Sequence, residues 1–161
     1  MAYTRKRTAK RTRPKDRTCY ETAVYLLQFR DQSEKDLTRK LKEREYTEKE
    51  IEEAMERLRD YEYVNDEDLA DELFEAYRRR AQYGDAYIHQ KLKLKGLTTE
   101  KHLQLEEEIE MAAALLQKKW GMSPKLRTDF KKSASFLLRR GFSHDAVMTV
   151  MHEMDFEETE E

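Results

Sequence analysis

The sequence predicts an all-α chain: three tandem three-helix repeats forming an elongated body behind a disordered basic N-terminal arm. Three observations carry this expectation. From Thr18 onward, apolar residues recur three and four apart among strong helix formers, the period of an amphipathic helix. Each of the four glycines, Gly84, Gly96, Gly121 and Gly141, directly follows such a stretch, where a left-handed residue ends a helix. One helix–corner–helix pattern then occurs three times in register.

Residues 1–17 have no helical apolar period and contain Pro14. They hold eight basic side chains and one acidic one, a net of +7, which leaves −9 for the rest of a chain whose total is −2. A block of this kind reads as an interaction tail, with Arg5, Lys6, Arg7, Lys10, Arg11 and Arg13 as its candidate contacts.

The start signals are hydroxyl caps. Thr47 has Glu50 three residues on, a capping box, and Ser33, Thr98 and Ser143 are further caps. Ser123 precedes Pro124, a cap followed by proline at the first helical position. With the glycine stops, these signals predict helices near 19–30, 34–44, 48–61, 67–82, 86–95, 99–109, 111–120, 124–140 and 144–154. No breaker separates 99–109 from 111–120, so those two could form one helix.

The repeat aligns 41–58 with 92–109 and with 137–154, at offsets of 51 and 45 residues. Leu41, Leu92 and Leu137 coincide, as do Tyr46, Leu97 and Phe142 just before the caps Thr47, Thr98 and Ser143. Ala54, Leu105 and Val150 coincide downstream, then Leu58, Ile109 and Met154. Upstream, Leu37 matches Ile88, while the third copy has Ser133 beside Ala134. The apolar residue before each cap packs on the following helix and fixes the corner. A further helix precedes each pair, giving repeats at 18–62, 63–110 and 111–161, the last with an acidic tail. Units this small complete their burial by stacking.

Of the 161 residues, 41% are charged and 38% apolar, and no apolar run approaches the ~20 residues of a membrane helix. The N-terminus lacks the apolar stretch of a secretory signal. Cys19, the lone cysteine, has no partner for an internal disulfide and reads as a small core hydrophobe. The expectation is a cytoplasmic monomer.

Charge is segregated by helix. Residues 43–75 carry fifteen acids and four bases, whereas 78–95 carry six bases and one acid, and 118–140 eight bases and one acid. The corner of every copy is basic, at Arg44, Lys95 and Arg140. A cation in the last turn complements the helix dipole by ~0.3–1 kcal/mol, which would account for those three. It does not account for Arg78, Arg79, Arg80, Lys91, Lys93, Lys118, Lys119, Lys131, Lys132 and Arg139. Either these are solvated surface, or some line a basic face that meets nucleic acid or an acidic partner.

No chemistry accompanies the charge. There is no GxxxxGK[ST] or GxGxxG loop. His89, His102, His144 and His152 form no metal spacing with one another or with Cys19. No nucleophile has a base and an orienting acid. The expectation is a non-enzymatic protein with no catalytic, cofactor or metal residues.

Four segments carry a resemblance: AVYLLQFRDQSEKDLTRKLKEREY (23–46), YVNDEDLADELFEAYRRRAQYG (63–84), IHQKLKLKGLT (88–98) and SFLLRRGFSHDAV (135–147). In this order they resemble the RecX family, regulators of the RecA recombinase. The chain departs from the family at Asn65-Asp66, where paired aspartates are usual, and at Glu45, where a corner glycine is usual. Asparagine keeps its capping ability, and the Glu45 corner must tolerate a side chain. The basic arm is not part of the shared signature. The resemblance implies that the three repeats form a curved modular body, and it implies binding in the groove of the RecA–DNA filament and suppression of ATP hydrolysis and strand exchange, within DNA recombination, repair and the SOS response. Two other readings remain open: a direct DNA-binding protein, and a helical-repeat adaptor.

Overall fold

The computed structural model describes residues 16–154, and their regular structure is helical throughout. The helices are α1 (Cys19–Leu27), α2 (Glu34–Glu43), α3 (Glu48–Asp60), α4 (Asp66–Arg80), α5 (Asp85–Leu94), α6 (Leu105–Met122), α7 (Phe130–Arg139) and α8 (His144–Glu153). A 3-10 turn, Pro124–Thr128, lies between α6 and α7. None of the described helices is long and apolar enough to cross a membrane. The basic arm up to residue 15 and the acidic tail from 155 lie outside the described residues. The chain divides into two compact units between Leu69 and Ala70, inside α4.

In the first unit, α1, α2 and α3 close around Ala23, Leu26, Leu37, Leu41, Tyr46, Ile51, Met55 and Leu58, with Cys19 among them. Thr18 and Glu21 form a capping box at the start of α1, as Thr47 and Glu50 do for α3. Ser33 caps α2 by accepting the Asp36 N–H. The α2–α3 corner is a Schellman turn: the Tyr46 N–H reaches the Leu41 carbonyl and the Glu45 N–H the Lys42 carbonyl. Glu45 sits in the left-handed region, φ 67°, and so does tolerate a side chain where the other copies use glycine. The Tyr46 hydroxyl reaches α1, 2.6 Å from the Thr22 hydroxyl. From the start of α4, the Asp66 carboxylate accepts the Glu34 N–H at 3.0 Å. Burial pushes the Asp66 carboxyl above its ordinary value, while that N–H pulls it back down.

The second unit keeps the expected corners. Gly96 and Gly141 are left-handed, with φ 72° and 83°, and Leu92, Leu97, Leu137 and Phe142 are buried. Ser143 caps α8 through the Ala146 N–H. Around α6, α7 and α8 a core forms from Ala112, Leu116, Trp120, Leu137, Phe142, Val147, Val150 and Met151. Ser133, the polar member of the aligned set, is fully buried. It accepts the Trp120 Nε1–H at 3.0 Å and donates to the Leu126 carbonyl at 2.8 Å.

Three expectations are corrected here. No helix covers 99–104, and one helix, α6, replaces the remainder of the two expected at 99–109 and 111–120. The polar groups of the 99–103 stretch bond to α4 and α5: Thr99 Oγ1 donates to Asp71, the Leu103 N–H to Asp85, and Arg78 to the His102 carbonyl. Thr98 therefore caps no helix, and Leu105, aligned with core positions, is 44% exposed. The helix expected at 124–140 breaks at Asp129, whose side chain takes the Lys132 N–H and begins α7 afresh. Finally, Gly121 lies within α6, and Gly84 is the N-cap of α5, with φ −79°. α4 ends instead on a left-handed Ala81, φ 52°.

Gly84 is required for a different reason. A Cβ there would run into the Gly141 carbonyl and the Phe142 amide, and one on Gly141 would strike Tyr87. The start of α5 thus lies backbone to backbone on the α7–α8 corner, and the Gly84 N–H donates to the Arg140 carbonyl at 2.8 Å. Glu108 completes the junction. It is 3% exposed, and its carboxylate accepts the Asp85 N–H at 2.8 Å and the Ser143 N–H at 2.9 Å.

Four variants test these contacts in urea unfolding curves. Glu45→Gly relieves a left-handed side chain and stabilises the chain by about 1 kcal/mol, whereas Gly141→Ala destabilises it by more than that, because strain and a backbone clash combine. Glu108→Ala orphans two backbone N–H groups and costs about 2–4 kcal/mol. Glu108→Gln keeps one acceptor and falls between Glu108→Ala and the parent chain.

Candidate nucleic-acid interface

The stretch 77–91, YRRRAQYGDAYIHQK, sets three tyrosines among bases: Tyr77 in the last turns of α4, Tyr83 before the cap of α5, and Tyr87 in its first turn. The Gly84 contact brings them to the end of α7. Tyr83 and Tyr87 stack face to face, centroids 3.9 Å apart and planes 7° from parallel. Tyr77 stands edge-on to both at 6.3 Å.

Cations alternate with these rings. Arg140, the C-cap of α7, donates to the Gln82 carbonyl at 3.3 Å. Its guanidinium carbon is 5.4 Å from the Tyr83 ring and 5.1 Å from Phe136. The Lys119 ammonium is 5.5 Å from Phe136, and that of Lys91 is 5.2 Å from Tyr87. A continuous run results, Lys119–Phe136–Arg140–Tyr83–Tyr87–Lys91, flanked by Arg80 over Tyr77 at 5.7 Å. The rings hold the cations through their quadrupoles, at about 0.5–1 kcal/mol for each exposed contact. Positive charge tracks a phosphate backbone, and ring faces accept unstacked bases.

Four of the ten body residues expected at an interface, Arg80, Lys91, Lys119 and Arg140, are therefore joined through rings. Arg79, Lys93, Lys118 and Arg139 are solvent-exposed, and Lys95 is half-buried at the C-cap of α5. Arg78 is held by its own fold: it pairs with Glu75 at 3.0 Å and Glu107 at 3.3 Å and donates to the His102 carbonyl. The Lys101 ammonium also bonds Glu75, and that bond holds the Glu75 carboxyl below its ordinary value. Arg44 donates to the Lys40 carbonyl at 2.9 Å and so closes its own helix end. The arm residues Arg5, Lys6, Arg7, Lys10, Arg11 and Arg13 lie outside the described residues.

Two histidines that share no metal-ligand spacing in the sequence are brought together by the fold. His89 and His102 stack with centroids 4.5 Å apart, and the Asp85 carboxylate lies against both. Sequence reading also passed over Tyr77, Tyr83, Tyr87 and Phe136. The legible signal was the interleaving of tyrosine with arginine and lysine in 77–91.

The fold and this surface define a modular, all-helical protein with a cation-and-ring face. Comparison with known proteins makes that more specific. The family model for the first three-helix domain of RecX matches residues 19–58, and that for the third matches 106–151. The regulatory protein RecX of Actinobacillus pleuropneumoniae serotype 5b is 34% identical over 155 residues, covering 89% of this chain and 96% of that protein. Its counterpart in Trichlorobacter lovleyi is 29% identical, over 80% of this chain and 90% of that one. The Bacillus subtilis protein is 26% identical over 88% of this chain, which spans only 57% of its length. The crystal structure of RecX from Lactobacillus salivarius superposes with a TM-score of 0.73 at 24% identity, over 86% of this chain and 96% of that one. This chain belongs to the RecX family of regulatory proteins.

Arg140→Glu should weaken binding to oligo-dT or to a DNA-bearing filament by at least about tenfold, since an attractive contact becomes repulsive. Tyr83→Ala should weaken it by about tenfold through lost stacking. Lys95→Glu should also lower binding more than stability. Arg44→Glu should leave binding intact and cost at most about 1 kcal/mol in a thermal melt. Unchanged binding by Arg140→Glu would remove the interface from this face.

Proposed function

We propose that this chain regulates the RecA recombinase, mainly as an inhibitor, by binding in the groove of the RecA–DNA filament and suppressing ATP hydrolysis and strand exchange. Membership of the RecX family supports the regulatory role. The observation that carries the mode of binding is the alternating run of cations and rings from Lys119 to Lys91. In this reading the helical modules act by binding, as a monomer in the cytoplasm and without catalysis of their own. The aromatic–basic face engages the DNA-bearing groove, and the arm at 1–17 adds long-range attraction.

A second reading, direct binding of single-stranded DNA, is favoured by the stacked Tyr83–Tyr87 pair beside Arg140. One experiment separates the two: binding to RecA filaments, to RecA without DNA and to DNA alone, each at two salt concentrations. The regulator reading expects tight filament binding and a fall in DNA-dependent ATP hydrolysis at or below equimolar protein. Deleting residues 1–17 removes +7 and should lower filament affinity and flatten its salt dependence. Unchanged ATP hydrolysis at saturating protein would refute the regulator reading.

A further inference from the structure

Asp85 opens α5, His89 follows one turn later, and His102 arrives from the non-helical stretch before α6. The carboxylate is oriented by one of its oxygens, as Asp85 Oδ1 accepts the Leu103 N–H at 2.7 Å. The other, Oδ2, is 2.8 Å from His102 Nδ1 and 3.5 Å from His89 Nε2. Two imidazole nitrogens and a carboxylate oxygen therefore face one point, all within 4.8 Å of one another.

We propose that Asp85, His89 and His102 form a binding site for a divalent transition-metal ion of the Zn2+ class. The donor set selects the ion. Imidazole suits Zn2+, Co2+, Ni2+ and Cu2+, whereas Mg2+ and Ca2+ are held by oxygen. Three protein ligands leave a further position for water, as in open zinc sites. The Leu103 N–H on Asp85 is the partner that orients a ligating carboxylate. Tetrahedral ligands at about 2.0–2.2 Å lie roughly 3.3–3.6 Å from one another, so the 2.8 Å Asp85–His102 pair must open while the two imidazole nitrogens settle to that spacing. The side chain best able to move is His102, which is 59% exposed, against 27% for His89 and 22% for Asp85. His89 Nε2 now lies 2.9 Å from the Lys101 carbonyl and would exchange that bond for the metal.

The neighbouring cations do not oppose a metal charge unbalanced. Lys101 is paired with Glu75, and Arg78 with Glu75 and Glu107. The ion would clip the 98–104 stretch to α5, adding to the ties from Thr99 to Asp71, from Arg78 to the His102 carbonyl, from Lys101 to Glu75 and from Leu103 to Asp85. This inference is independent of the RecA reading.

The test uses the untagged full chain, stripped with a chelator and titrated with Co2+, then with Zn2+. Expected are visible d–d bands that saturate at one Co2+ per chain, disappear as Zn2+ displaces it, and a higher melting temperature with Zn2+. His89→Ala and His102→Ala should each weaken binding by more than about tenfold, the scale on which even an orienting partner matters. Their melts should no longer respond to Zn2+, and far-UV circular dichroism without metal shows that each variant is folded. If only one folds, that one decides. His144→Ala and His152→Ala, exposed on α8, should bind as the parent does. Absence of saturable binding at micromolar metal overturns the proposal. So does binding that survives in the folded His89 or His102 variant, or binding lost in the α8 variants.

Discussion

Glu108 stands in the first turn of α6, and its two carboxylate oxygens take one backbone N–H each, from Asp85 at the start of α5 and from Ser143 at the cap of α8. Burying a carboxylate is costly unless hydrogen bonds satisfy it, and bonds from N–H groups at helix starts are the charge-assisted kind. The helix dipoles add to the attraction, because both N-termini point positive charge at the same group. Gly84 and Gly141 allow the approach by having no side chains to separate the two backbones. The aromatic–basic face is built on this junction: Tyr83 precedes it, Tyr87 packs on Gly141, and Arg140 supplies the carbonyl that receives the Gly84 N–H.

The first unit reaches a related solution by simpler means. There Ser33 caps α2 with its own hydroxyl, while Asp66 from the following helix takes the Glu34 N–H. Ser33, Gly84 and Asp129 occupy equivalent places in the repeat, yet only Ser33 and Asp129 cap with their side chains. The middle copy gives up the local cap for backbone contact and receives a remote carboxylate instead.

These differences mark what the sequence disclosed. Corners were legible because their signals are local: a capping box within four residues, a left-handed position after a helix, an apolar residue beside a cap. Leu41, Leu92 and Leu137, with Tyr46, Leu97 and Phe142, were accordingly found at buried positions. The 99–104 stretch was not legible. TTEK has the composition of a helix start, but Asp71, Asp85 and Arg78, from 18 to 28 residues away, take its polar groups from the helix. The break at Asp129 is a local cap, its side chain accepting the Lys132 N–H, and was passed over because Ser123-Pro124 already offered a start signal. Charge counts named Arg80, Lys91, Lys119 and Arg140 as candidates but could not separate them from Arg78, whose ion pairs arise only on folding. The tyrosines that organise those cations were readable as composition, not as a stack.

The single tryptophan has an optical consequence. Trp120 lies in the core formed by α6, α7 and α8, with its indole N–H on the Ser133 hydroxyl, and the first unit contains no tryptophan. Intrinsic emission excited at the red edge of the indole band therefore reports on the second unit alone, whereas helical ellipticity averages over both. The two signals coincide during unfolding only if the units melt as one cooperative block. A gap between their midpoints would measure directly how strongly the continuous helix through Leu69 and Ala70 couples the folding of one unit to that of the other.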